Sequence, residues 1–188
     1  MKKTLTMVLA FALVFALGVG GTLAWLTATT GEVKNTFTPS NVEITLTETK
    51  PANNTAEMVP GHVIEKDPKA SVVAGSEECY LFVKVEASEN ASKFLDYTVD
   101  TAKWTPVEGH DGYYYMVIDS TDKMGVEYSI LTGDKVTVKS TVTKTDMTEN
   151  FTQPTLTFKA AAVQYYETNN TPFSLTDAWN ALPAEFKA

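Results

Sequence analysis

The chain has 188 residues, 44% of them hydrophobic and 11% aromatic, with a formal net charge of −8. That is room for one ordinary globular domain and a leader, and the composition excludes a disordered chain. Without Lys2 and Lys3, which fall in the leader, the 15 basic residues become 13 against 23 acidic ones, a net charge of −10; such a surface repels phosphate backbones and anionic head groups, which argues against a nucleic-acid partner.

Residues 1–24 read as a helical signal peptide. Lys2 and Lys3 supply the basic start, Leu5–Leu17 the apolar helix, and Gly18, Gly20 and Gly21 loosen it before the cut. Thr22 and Ala24 place small side chains at positions −3 and −1, which makes Trp25 the expected mature N-terminus. A permanent anchor is the competing reading, because no charge occurs from Thr4 to Gly31 and a span needs only about 20 apolar residues. The glycines and the small pair favour cleavage. The membrane is then engaged only through the signal peptide before it is cut, and the product is secreted. Residues 25–36 follow as a small, polar arm in which Trp25, Leu26 and Val33 stand out as apolar. With little of its own to pack against, the arm is expected to be extended and is a candidate donor strand.

Residues 37–188 alternate as an all-β domain. In Asn41–Thr49, Val42, Ile44 and Leu46 share one face and Glu43, Thr45 and Thr47 the other. Val63–Val73 continues extended but is broken at Asp67-Pro68, since proline donates nothing to a ladder. Cys79–Ala87 is the strongest strand: Cys79, Leu81, Val83 and Val85 face one way, Tyr80, Phe82, Lys84 and Glu86 the other, so both faces are partly apolar. Further strands are predicted at Leu95–Val99, Lys103–Val107, Tyr113–Asp119, Val126–Leu131, Lys135–Thr143 and Thr155–Tyr166, separated by turns at Gly109, Gly112, Gly125 and Gly133. So many short strands point to an antiparallel β-sandwich or barrel. At the end, Ser174 and Asp177 have capping-box spacing, and Leu175, Ala178, Trp179 and Leu182 recur at helical spacing before Pro183. This predicts one short C-terminal helix capping an open end of the sandwich.

No catalytic arrangement, metal set or cofactor motif emerges from the residues. His62-Val63-Ile64-Glu65 begins like a zinc site, but Lys66 stands where the second histidine belongs, and His110 is alone in a turn. Nucleophile elbows, phosphate loops and dinucleotide fingerprints are missing from the sequence. Asp119 and Asp122 read as turn formers. Cys79, the single cysteine, is expected as a small buried hydrophobe and excludes an intramolecular disulfide. Tyr113-Tyr114-Tyr115 resembles a sugar-stacking platform only superficially, because consecutive strand residues point to opposite faces.

The junction Gly20-Gly21-Thr22-Leu23-Ala24-Trp25-Leu26-Thr27, followed by Asn35-Thr36-Phe37-Thr38-Pro39-Ser40-Asn41-Val42-Glu43-Ile44, resembles the TasA/camelysin family of Gram-positive bacteria. Pro60–Pro68, Tyr80–Val85, Gly112–Tyr115, Ala162-Val163-Gln164 and Ala178-Trp179 also look like family segments. The resemblance implies a leader cut by a SipW-type signal peptidase and a jelly-roll β-sandwich at the cell surface or in the biofilm matrix. It also implies self-association into fibres by donation of the N-terminal arm. Camelysin has been described as a metalloprotease, but no ligand set here carries that activity over, so the expectation is a non-enzymatic structural protein. The rival from another class is a cell-surface binding module for a glycan or host protein.

Replacing Ala24 by Asp puts a charge in the small −1 pocket of the peptidase. N-terminal sequencing of exported protein should find Trp25 first in the parent and an intact leader in the variant.

Overall fold

The computed structural model describes residues 41–49, 57–148, 151–168 and 171–188. The leader and the arm read from the sequence lie outside these residues. The strands are β1 (Ile44–Thr47), β2 (Val63–Glu65), β3 (Lys69–Val72), β4 (Cys79–Ala87), β5 (Leu95–Asp96), β6 (Thr105–Pro106), β7 (Tyr113–Ile118), β8 (Tyr128–Ser129), β9 (Lys135–Val138), β10 (Leu156–Gln164), β11 (Tyr166–Thr168) and β12 (Thr171–Pro172). They build a four-stranded sheet in the order β10-β4-β7-β6, two three-stranded sheets, β1-β3-β8 and β2-β9-β5, and a small β11-β12 hairpin. Every pairing is antiparallel. Among the described residues three short α-helices accompany them: α1 (Ala91–Phe94), α2 (Leu175–Ala181) and α3 (Ala184–Lys187). The described chain is thus mostly antiparallel β-sheet with few helical residues, as an all-β sandwich requires.

The alternation of β4 explains the layering. Its odd-numbered side chains, Cys79, Leu81, Val83 and Val85, join Leu156 and Phe158 of β10 and Met116 and Ile118 of β7 on the inner face. Across from them stand Ala70 and Val72 of β3, with Trp104 and Ile130. Trp104 is fully buried, and its indole N–H donates to the Ser129 carbonyl at 2.9 Å, so its one polar atom is satisfied. The even-numbered Tyr80 and Phe82 form a second apolar surface with Tyr113, Ala161 and Val163. That surface is covered by Ala178, Leu182 and Phe186 from the C-terminal helical segment.

This corrects two expectations. The C-terminal helix covers the outer face of the four-stranded sheet instead of capping an end, and it is two helices instead of one. The N-cap forms: Ser174 Oγ accepts from the Asp177 N–H at 3.1 Å and donates to the Asp177 carboxylate at 2.5 Å. Leu182 then turns extended, ψ 143°, and the chain restarts helically after Pro183. Lying on an open sheet face gives Trp179 and Phe186 more apolar surface to bury than the narrow end of a sandwich offers.

Cys79–Ala87 forms as predicted, whereas most minor strands are shorter than their apolar runs. Val126–Leu131 pairs only at Tyr128–Ser129, and Val99 meets Leu131 through an isolated bridge. Lys135–Thr143 stops at Val138. Left-handed Gly133 and Asp134, φ 67° and 52°, turn the chain between β8 and β9. Gly112, at φ +80°, brings the backbone so close to β4 that a Cβ there would lie 2.9 Å from the Val85 carbonyl oxygen. The break at Asp67-Pro68 is as anticipated, and it sends β2 and β3 into different sheets.

Asp67 is also a strap. Its buried carboxylate accepts from the Thr49 N–H at 3.1 Å and the Thr49 hydroxyl at 2.5 Å, with Lys69 at 3.5 Å. Burial alone would raise its pKa. The Thr49 hydrogen bonds and the Lys69 charge outweigh that and hold the carboxyl below its usual value. The end of β1 is thereby fastened to the break between β2 and β3.

Replacing the fully buried Val83 by Asp would place an unpaired charge in the core and cost about 4 kcal/mol or more, read as loss of the cooperative thermal transition. Asp67→Ala should cost about 1–3 kcal/mol at neutral pH in chemical denaturation. Because the folded pKa is depressed, this share of stability is complete above the unfolded value of about 4 and is lost as pH falls below it. The variant should therefore show a flatter acid limb than the parent.

Candidate functional site

The residues with catalytic side chains do not converge. His62 is exposed just before β2, and Glu65 ends that strand. His110 lies in the β6–β7 loop, where its ring stacks on Trp179 at a centroid distance of 4.0 Å and 25° between planes. The residue remains exposed while its ring packs on the indole. Cys79 is fully buried, and burial pushes its thiol up to about 11, so the protonated form persists at neutral pH. Among the described residues no group of three or more His, Cys, Asp and Glu side chains is placed to hold a metal ion. Asp119 pairs with Lys123 at 2.6 Å across a 3-10 turn, the structural role its position suggested.

The tyrosine triplet divides between faces as strand geometry demands. Tyr114 packs on the inner core, while Tyr113 and Tyr115 join the outer aromatic surface. There the rings pack on one another: Tyr113 meets Trp179 edge-on at 5.0 Å, and Tyr80 lies 5.3 Å from Tyr165. The Tyr113 hydroxyl donates to the Lys187 carbonyl at 2.8 Å. Buried Lys84 donates to the Ala188 carbonyl oxygen at 2.7 Å and lies 3.3 Å from Glu86. Desolvation disfavours its charge, but the Tyr113 hydroxyl and Glu86 more than compensate and raise its pKa. These groups fasten the helical cover and leave no flat, solvent-facing aromatic platform between it and the sheet.

An apolar groove lies at the flank between β1 and β10. Both are edge strands, β1 of its three-stranded sheet and β10 of the four-stranded one. A groove of about 580 Å³ runs between the layers here, floored by Leu46, Met58, Ile64, Leu95, Val136, Leu156 and Phe158. A second hollow of about 470 Å³ adjoins it at Leu46 and extends past Ile44, Lys159 and Ala160 to Phe186 of α3. Together they follow β10 for most of its length. Leu46–Glu48 lies beside the start of β10 and Ile44 beside its middle, so the two edge strands run in opposite directions. Several groove residues belong to the inner core but are only half covered, and Leu46 is 41% exposed. Among the described residues the core is therefore only partly covered along this side.

The groove lining includes one largely buried ion pair. Lys66 Nζ stands 2.8 Å from both Glu48 carboxylate oxygens, with its hydrogen bond directed at Oε2. Lys159, on the outer side of β10, lies 3.3 Å from the Ala188 carbonyl oxygen and 3.9 Å from Glu86. Among the described residues the backbone of β10 pairs only with β4, leaving nine residues of edge without proline. The opposite edge is different: β6 has two residues, and one of them, Pro106, has no N–H to offer.

Of the residues singled out in the sequence, Thr22, Ala24, Trp25, Leu26 and Val33 lie outside the described residues. His62 and Glu65 share β2 and its approach, at one side of the small β2-β9-β5 sheet, and His110 belongs to the loop that packs on Trp179. The groove was not foreseen. Its one trace in the sequence is that Thr155–Tyr166 is long, apolar on both faces and free of proline. No helix among the described residues is long and apolar enough to cross a membrane. No protein-family model, curated protein or solved structure matches this chain.

Proposed function

We propose that this is a secreted structural protein of the extracellular or biofilm matrix, a jelly-roll sandwich of the TasA/camelysin kind. Its leader is cut after Ala24 by a SipW-type signal peptidase. The mature chains then assemble into fibres as the arm Trp25–Thr36 of one copy adds to the sheet of the next. The observation that carries this reading is the partly covered groove between the β1 and β10 edges. An exposed sheet edge offers N–H and C=O groups to an extended segment, and pockets beside it take alternate side chains.

The dimensions and energies are compatible. Nine residues of β10 extend about 30 Å, and the twelve of the arm reach about 40 Å. Burying Trp25 and Leu26 contributes on the order of 3–5 kcal/mol. Ordering the arm costs roughly 1–2 kcal/mol per residue, so pairing along the edge and further apolar contact at Val33 must supply the remainder. Pro106 removes a donor from the two-residue β6 at the other edge of the same sheet, which disfavours joining β10 of one copy to β6 of another. A head-to-tail contact of arm and groove has no rotational closure built in and propagates as an open filament.

Deleting Trp25–Thr36 should abolish fibres seen by electron microscopy of exported protein, and Thr29→Pro should reduce them while leaving thermal melting unchanged. Fibres of normal length and yield from the deleted chain would overturn arm donation and favour the surface binding module.

A further inference from the structure

The rings of the outer aromatic surface form an unbroken row from beneath the helical cover to the β11-β12 hairpin. Tyr113 lies 5.0 Å from Trp179, and Phe82 stands 6.2 Å from both Trp179 and Tyr80. Tyr165 follows at 5.3 Å from Tyr80, and Tyr166 meets Tyr165 edge-on at 5.0 Å. We propose that this row carries oxidation outward and ends at Tyr166, a site where two copies of the chain are joined covalently through their phenol rings. Electron transfer weakens steeply with the gap between donor and acceptor, so rings in van der Waals contact exchange an electron readily. Phe82 is not itself oxidised and serves as the bridge between Trp179 and Tyr80. The inference does not rest on the arm: it needs only that two copies meet at Tyr166.

Charge gives the row a direction. At its inner end Lys84 Nζ lies 5.3 Å from the centre of the Tyr113 ring and Lys187 Nζ 5.7 Å from that of Trp179. A cation over a ring stabilises its electrons, so removing one is harder there. The outer end is acidic. Glu78, and more distantly Asp119, act on the Tyr166 hydroxyl and raise its pKa. The same carboxylates attract the positive charge that oxidation leaves on a ring. A vacancy created at Trp179 is thus pushed from the lysines and drawn to Tyr166.

The proton and the solvent choose the same residue. An oxidised phenol must give up its proton, and a backbone carbonyl is too weak a base to take it. The hydroxyls of Tyr80 and Tyr113 donate to the carbonyls of Phe173 and Lys187, at 2.9 and 2.8 Å. Tyr166 instead has the Glu78 carboxylate beside it. Of the eight tyrosines, all within the described residues, only Tyr166 is exposed, at 36%. The co-reactant is a peroxide acting through a one-electron oxidant such as a haem peroxidase. Each Tyr166 loses one electron to that oxidant and its phenolic proton to Glu78 and then to solvent. The radicals of two copies form a carbon–carbon bond ortho to the two oxygens, and the ring hydrogens shift to restore both phenols. The two electrons and two protons reduce hydrogen peroxide to water.

The test treats exported full-length chain with a haem peroxidase and hydrogen peroxide at neutral pH. Denaturing gels should show a covalent dimer with dityrosine fluorescence, and mass mapping should find Tyr166 bonded to Tyr166. Y166F should lose the dimer while melting like the parent, and oxidation products at Trp179 should rise because the row has lost its outlet. E78Q removes the base and the negative charge with little change of shape, and should lower the dimer yield at neutral pH. With a photo-generated ruthenium oxidant, that difference should close as pH rises past about 10, where the phenol of the variant ionises without help. A dimer that persists in Y166F, or a bond mapped to another tyrosine or to Tyr165 of the same chain, would overturn the site. Unchanged Trp179 oxidation in Y166F would overturn the relay, and equal yields from E78Q and the parent at neutral pH would overturn the role of Glu78. Cross-linking lost in Y166F with fibres intact leaves arm donation standing.

Discussion

Burial of β4 on both faces is the constraint from which the rest of this structure follows. A strand whose first seven residues are all buried needs apolar material above and below, and paired neighbours on either side. The β1-β3-β8 sheet, with Trp104 and Ile130, supplies one cover and the C-terminal helices the other, while β10 and β7 occupy its edges. Among the described residues β10 then has no strand partner on its far side. The four-stranded sheet is thus complete in its middle and unequal at its borders: short and proline-bearing at β6, long and unguarded at β10.

This inequality separates two ways of reading a surface. A site that works by side-chain chemistry gathers titratable groups at short range. The described residues offer instead a protonated buried thiol, an exposed histidine just before β2 and a second histidine stacked on tryptophan. A site that works through the backbone needs only a ladder without a partner and shallow apolar hollows beside it. Among the described residues the flank between β1 and β10 has both, and the Lys66–Glu48 pair in its lining is largely buried.

What was legible in the sequence was local. Alternation located Cys79–Ala87 to the residue, Asp67-Pro68 marked a real break, and Ser174 and Asp177 marked a real helix start. Strand geometry also divided Tyr113 and Tyr115 from Tyr114 correctly. What stayed hidden depends on pairing between distant segments. The residues of β10 read as a strand, but nothing in them says that only β4 will lie beside them among the described residues. Likewise, the apolar stripe of α2 shows that it must be covered, not that an outer sheet face will do the covering. The minor strands were overextended because the period of two persists through residues such as Val126 and Val142, which lie beyond their strands' ladders. The groove residues Leu46, Ile64 and Phe158 come from three separate strands and become neighbours only in the folded chain.

The manner in which the helical cover is attached has a consequence for how the domain breathes. Among the described residues, α2 and α3 exchange no backbone hydrogen bond with the sheet; they are held by ring stacking, by side chains such as Lys84 and Tyr113 reaching terminal carbonyls, and by apolar contact. Lifting them would break no strand pairing. The cover is therefore a separate cooperative unit, able to open and reclose at a free energy below that of global unfolding, while the ladder around β4 keeps the full protection of the core.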